Sequence, residues 1–196
     1  MLPIMKKISV ISGLPVLVFV ACLFLTCKKS SDSSNNNSSN NTTTVTCNPP
    51  ATCKNGIQDA GETGVDCGGA SCNQCPSGVI SSGQLMAIVD GCLWTATHTY
   101  IYMGNNSFIL ECSSTSPADS VYLAFSGTPT YGVQQAINTS GVTISGTTYS
   151  SSFGGYITIT DSSNSKITGT FHFSGTNGTT KYVSSGVIKS VPFVNH

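Results

Sequence analysis

The stretch Phe153-Gly154-Gly155-Tyr156-Ile157-Thr158-Ile159-Thr160-Asp161-Ser162-Ser163-Asn164-Ser165-Lys166-Ile167-Thr168-Gly169-Thr170-Phe171-His172-Phe173 decides the fold. Two alternating segments flank a cluster of Asp, Ser and Asn, the pattern of a β-hairpin with one buried face. Setting Ile159 opposite Ile167 places Ile157 against Gly169, Gly155 against Phe171 and Phe153 against Phe173, all toward a core. Thr158, Thr160, Lys166, Thr168 and His172 then face solvent.

Working outward, no helical period occurs from Val79 onward, and turn residues recur every eight to twelve positions. Asp90-Gly91 suits a two-residue type I′ turn that pairs Val89 with Cys92 and Ala87 with Trp94. A second hairpin across Gly104-Asn105-Asn106 joins Thr95–Met103 to Ser107–Ser113, and a turn centred on Asn105 sets His98 opposite Cys112. Val121–Phe125, Val133–Ile137 and Val142–Tyr149 read as further strands. The last strand, Tyr182–Phe193, carries Pro192 near its end, where a missing amide donor is tolerated. The fold class is all-β: an antiparallel sandwich or a closed up-and-down barrel of about eight to nine strands over residues 79–196. Cys92 and Cys112 share the strand parity of Trp94 and Leu110 and point inward. This register holds them about 20 Å apart, too far for a bridge, which needs Cα atoms within about 7 Å.

Residues 47–76 form a separate cysteine-rich module with almost no large apolar side chains, so cross-links or a bound ion must hold it. Cys53, Cys67, Cys72 and Cys75 have a spacing close to that of a zinc ribbon, but an exported chain favours disulfides. Four cysteines allow three pairings and the spacing does not choose among them; Cys47 is left over. Asn55, Asp59, Glu62 and Asp66 sit on a glycine-bent loop and are candidate calcium ligands, with a solvated acidic turn as the plainer reading. No EF-hand pattern is present, and the cofactor expected elsewhere is none.

At the N-terminus, Lys6 and Lys7 precede an apolar run from Ile8 to Thr26, followed by Cys27. This has the form of a secretory signal over residues 1–26. A retained membrane helix is the competing reading, since about 18 apolar residues can span a bilayer. Residues 27–46 are a polar tether, rich in Ser, Asn and Thr, that cannot bury enough apolar surface to order itself. Its root-mean-square span is about 25 Å. Phe24-Leu25-Thr26-Cys27 resembles the lipobox of bacterial lipoproteins, which implies acylation of Cys27. Phe19-Val20-Ala21-Cys22 resembles it too and makes Cys22 the alternative. Acyl chains bury methylenes at about 0.8 kcal/mol each, so two or more chains give stable anchoring to a membrane.

Without residues 1–26 the chain has six Lys, no Arg and eight Asp plus Glu, a balance of 6 − 8 = −2. No basic face exists for a nucleic-acid partner. Nine cysteines beside an export signal point to an oxidising compartment.

Cys53-Lys54-Asn55-Gly56-Ile57-Gln58-Asp59-Ala60-Gly61-Glu62-Thr63-Gly64-Val65-Asp66-Cys67-Gly68-Gly69 resembles a short cysteine-rich repeat of exported bacterial proteins. The resemblance extends to Cys75 and implies an extracytoplasmic spacer or adhesion-type module. Val89-Asp90-Gly91-Cys92-Leu93-Trp94-Thr95-Ala96, Gly169-Thr170-Phe171-His172-Phe173 and Gly186-Val187-Ile188-Lys189-Ser190-Val191-Pro192-Phe193 together resemble an uncharacterised β domain of Bacteroidota lipoproteins. That likeness covers 84–193, with Ile188 standing where the family ending usually carries Phe. It implies an outer-membrane or cell-surface location and a domain of unknown function.

No enzyme is expected. Asp90, Glu111, Asp119 and Asp161 are the acids of the β domain, and three of them fall in predicted turns. The predicted register puts His98 and Glu111 on opposite faces, and no nucleophile elbow or phosphate loop occurs. Trp94 reads as a core anchor, whereas Tyr100, Tyr102, Tyr122, Tyr131 and Tyr149 are candidates for a carbohydrate face. The leading expectation is a membrane-anchored, non-catalytic β domain that binds a surface glycan, a protein or a small apolar ligand. The alternatives are a calycin-like barrel enclosing an apolar ligand and a glycan-acting enzyme with paired carboxylates.

Overall fold

The computed structural model describes residues 47–104, 106–114 and 119–195. Cys22, Cys27, the signal 1–26 and the tether up to residue 46 lie outside the described residues. Among the described residues twelve strands occur: β1 Gln84–Val89, β2 Cys92–Thr95, β3 His98–Gly104, β4 Ser107–Ser113, β5 Ser120–Ser126 and β6 Gln134–Ala136. They continue with β7 Thr139–Ile144, β8 Thr147–Ser152, β9 Gly155–Asp161, β10 Lys166–Asn177, β11 Thr179–Pro192 and β12 Val194–Asn195. All belong to one curled sheet in the order β12-β3-β4-β5-β7-β8-β10-β11-β1-β2, with β9 on β10 and β6 on β9. Every pairing is antiparallel except the two-residue β12–β3 step, which brings the end of the chain back to β3.

The Asp90-Gly91 hairpin has the expected register, Val89 with Cys92 and Ala87 with Trp94. Both turn residues have positive φ, 49° and 80°, as a type I′ turn requires. The second hairpin is shifted by one residue. Gly104 pairs with Ser107, so His98 faces Ser113 and Thr99 faces Cys112. His98 and Glu111 therefore share the outer face, contrary to expectation, with Glu111 opposite Tyr100. The predicted strand Val142–Tyr149 is in fact two, β7 and β8, because Ser145 and Gly146 turn the chain at φ 50° and 81°.

In the 153–173 hairpin the register slides by two residues: Ile157 faces Phe171, Ile159 faces Gly169 and Gly155 faces Phe173. A shift of two preserves which face each side chain takes, so Ile157, Ile159, Ile167, Phe171 and Phe173 are buried as expected. Phe153 is the exception, 74% exposed and outside the strand.

The inner faces make one apolar core, with Phe108, Leu110, Leu123, Ile101, Ile157, Ile159, Phe171 and Ile188 almost wholly buried. Trp94 is buried in it as a core anchor. Phe108 stacks on Phe125 at 5.0 Å between centroids. These side chains fill the interior as they do in small barrels.

Candidate functional site

Strand β1 reads Gln84-Leu85-Met86-Ala87-Ile88-Val89, apolar at every position after the first. Leu85, Ala87 and Val89 join the interior core, while Met86 and Ile88 are buried outside it. A strand apolar on both faces is covered on both faces. The cover is the cysteine-rich module, which docks on the outer face of β1 and β11. Cys47 is bonded to Cys92 at the start of β2. Asn73 Nδ2 donates to the Gly91 carbonyl at 2.8 Å, and Ser185 Oγ donates to the Val65 carbonyl at 3.0 Å. Lys189 Nζ donates to the Ile80 carbonyl at 3.1 Å. Gly56 lies against the ring of Tyr182, which leaves no room there for a Cβ.

Inside the module Cys53 bonds Cys72 and Cys67 bonds Cys75. The sulfurs are therefore not available as zinc ligands. The four candidate calcium ligands do come together, but through hydrogen bonds to the backbone and to one another. Asp66 is fully buried and accepts from the amides of Asn55 at 2.9 Å and Gly56 at 3.0 Å. Asn55 Nδ2 donates to Asp59 Oδ2 at 2.8 Å, and Glu62 Oε2 accepts from the amides of Asp59 and Asp66. The carboxylates thus satisfy loop amides that would otherwise be buried without a partner.

Strand β11 shapes the site through two bulges. Between Phe171 and Phe173 on β10 the partner positions step from Gly186 to Val183, three residues against two. The extra residue is accommodated at Ser185, with φ 49°. A bulge re-aims the side chains beside it: Ser184 pairs with Ile88 and Ser185 reaches the module. A similar step near Ser190, at φ 53°, keeps Val191 opposite Ile167.

Between the module and the outer face of β9, β10 and β11 lies a cleft of about 680 Å³. Thr63, Gly64, Val65 and Ser77 line one side; Gly154, Tyr156, Thr170, His172, Ser174, Tyr182 and Ser184 line the other, with Phe153 among the lining. Among the described residues, no Lys, Arg, Asp or Glu is part of its wall. The Tyr156 and His172 rings lie tilted, 5.6 Å apart. None of the five tyrosines proposed from sequence lines this cleft. Tyr149 packs on the core under Lys181, whose ammonium sits 5.9 Å above the ring. Tyr100 and Tyr131 are about half exposed elsewhere. A readable signal for the cleft was the unbroken apolar run of β1, which demands a second layer, together with the aromatic pair around Gly154-Gly155.

Burial pushes the His172 imidazole below its ordinary value of 6.5. The unfolded chain therefore takes up this proton first as pH falls. Stability is full above the ordinary value and declines through the window down to the depressed folded value. The expected result is an acid-side fall in the urea midpoint that is absent in His172→Gln. Cys112 is the one free cysteine among the described residues, buried and donating its thiol hydrogen to the Val121 carbonyl at 3.4 Å. Burial drives that thiol far above the usual range, so it stays protonated and unreactive.

Fold and cleft together define an all-β protein made of one curled antiparallel sheet, with a disulfide-held module forming the second wall of an uncharged cleft. The chain belongs to the family described as a domain of unknown function, DUF6252, whose model matches residues 82–192. The sheet wall of the cleft falls within that span and the module wall lies before it. Neither the curated proteins nor the solved structures gave a match.

Proposed function

We propose that this is an extracytoplasmic lipoprotein, anchored through Cys27 or alternatively Cys22, whose β domain binds a ligand in the cleft beneath its cysteine-rich module without catalysing a reaction. The cleft carries the binding reading: it is lined by both walls and has the size of a small-molecule site, about 300–1,000 Å³. The disulfides support an oxidising compartment, because six of the seven described cysteines are paired. The signal-like run from Lys6 to Cys27 supports membrane anchoring. Against catalysis stands the chemistry of the wall. Among the described residues it offers His172 and tyrosines but no carboxylate, so the wall holds no paired acids of the kind glycoside hydrolysis uses. No metal enters this reading, since the Asn55–Asp66 oxygens already serve loop amides.

Thiol counting on native protein tests the anchor. The sequence has nine cysteines; among the described residues six are bridged and Cys112 is free, and Cys22 and Cys27 lie outside them. Unfolding without reductant should expose one reactive thiol, Cys112, when Cys27 is acylated and the leader is gone. Two thiols would mean acylation at Cys22. Three, with no added acyl mass, would overturn the lipoprotein reading. Before unfolding the count should be zero, because Cys112 is buried.

A further inference from the structure

We infer that the ligand of this cleft is an uncharged saccharide, stacked on Tyr156 and hydrogen-bonded at Ser184. The inference rests on the cleft-binding reading above and gives its ligand class.

Ser184 supplies the first observation. It is 4% exposed, lines the cleft, and its Oγ has no hydrogen-bond partner among the described residues. A buried hydroxyl without a partner is costly to a fold, and native proteins rarely keep one that serves nothing. The second observation is the absence of Lys, Arg, Asp and Glu from the wall among the described residues. A carboxylate, phosphate or ammonium entering there would lose its hydration with no opposite charge to replace it. Third, the rim carries exposed aromatic surface. Tyr156 is 46% exposed, and its ring is flanked by that of His172. Phe153 is 74% exposed with φ 61°. A bulky residue in the left-handed region is strained, and such outliers cluster at binding sites.

An apolar ligand would leave the Ser184 hydroxyl unpartnered and would lie against the hydroxyls of Thr63, Thr170 and Ser174. A sugar ring matches both kinds of surface. Its C–H face covers an aromatic ring, whose polarised π-system favours such contacts, while its hydroxyl edge exchanges hydrogen bonds with serine and threonine.

The test is calorimetric titration of the full chain in lipid nanodiscs. The probes are cellohexaose, mannohexaose, xylohexaose and maltohexaose, with trigalacturonic acid as the charged counterpart and indole as a neutral apolar probe. A neutral hexaose should bind and trigalacturonic acid should not. Tyr156→Ala should weaken hexaose binding by about tenfold. Ser184→Ala should weaken it by about fivefold while leaving Tm unchanged or higher, because it deletes an unpartnered buried hydroxyl. A merely structural serine would not give this opposition. Ser77→Trp should fill the cleft and abolish binding. The saccharide inference is overturned if no hexaose binds, if trigalacturonic acid binds equally well, or if both Tyr156→Ala and Ser184→Ala leave the affinity unchanged. Indole binding that Ser77→Trp abolishes, without saccharide binding, would sink the saccharide alone. Loss of both kinds of binding would sink the cleft reading as well.

Discussion

Replacing Cys47 and Cys92 together by serine lowers unfolding free energy by about 4 kcal/mol at 25 °C, the largest loss among the three bridges. The bond closes a separation of 45 residues, against 19 for Cys53–Cys72 and 8 for Cys67–Cys75. In the chain-entropy account a cross-link restricts the unfolded ensemble more as its loop lengthens, so the expected losses descend from about 4 through about 3 to about 2.5 kcal/mol in that order. Against a typical total of about 5–15 kcal/mol, the first is a large share. Both cysteines are changed at once, so that no orphan thiol is left to exchange with Cys112 on unfolding. Urea unfolding of the three double variants checks the prediction. An order in which the 8-residue bridge matters most would show that the native contacts of the module, not the unfolded chain, govern its stability.

Phe171→Ala is expected to lose about 3–5 kcal/mol, the range for removing a buried aromatic ring. Phe171 is 2% exposed in the middle of β10, facing Ile157 on β9 and Gly186 on β11. Its ring lies over Gly186: a Cβ there would meet ring carbons at 2.7 Å and the Phe171 carbonyl oxygen at 2.6 Å. The aromatic thus covers the backbone of a residue that has no side chain, and the glycine gives the ring its space. Gly186→Ala should destabilise on its own through both contacts. In the Phe171→Ala background only the carbonyl contact remains, so the two losses should add to less than their sum. Denaturant midpoints with unchanged m values are the measurement. A loss under about 1 kcal/mol for Phe171→Ala would mean that the ring is not packed as described.

The parts of this fold that the sequence made legible are those where local chemistry leaves one solution. Asp90-Gly91 gave its register because a two-residue turn with positive φ at both positions admits one pairing of its flanks. Gly104-Asn105-Asn106 admits turns of two or three residues, and the one-residue error there moved Glu111 to the face of His98. In the 153–173 hairpin, alternation fixed which side chains are buried but not how far the strands slide. The connection Ser162–Ser165 holds Asn164 and Ser165 at positive φ, and the pairing shifts again between Thr168 and Gly169.

The site was less legible, since its two walls come from segments far apart in the chain and meet through a bulge that strand periodicity does not announce. Serine at φ 49° in Ser185 carries no turn signature, yet it turns Ser184 and Ser185 toward the module. The surplus Cys47 and the apolar run Leu85–Val89 of β1 held the needed information. Each lacks an obvious partner within its own segment, and each finds it in the other's.

The position of Cys47 also governs how the molecule bears a pull. Tension arriving from the N-terminal side enters the described fold at Cys47 and crosses the sulfur–sulfur bond to Cys92 in the first hairpin. The cysteine-rich module that follows Cys47, up to residue 76, lies off this covalent path. A pull from that side would therefore be borne by the sheet, and the wall that closes over the cleft would keep its shape while the molecule is tugged.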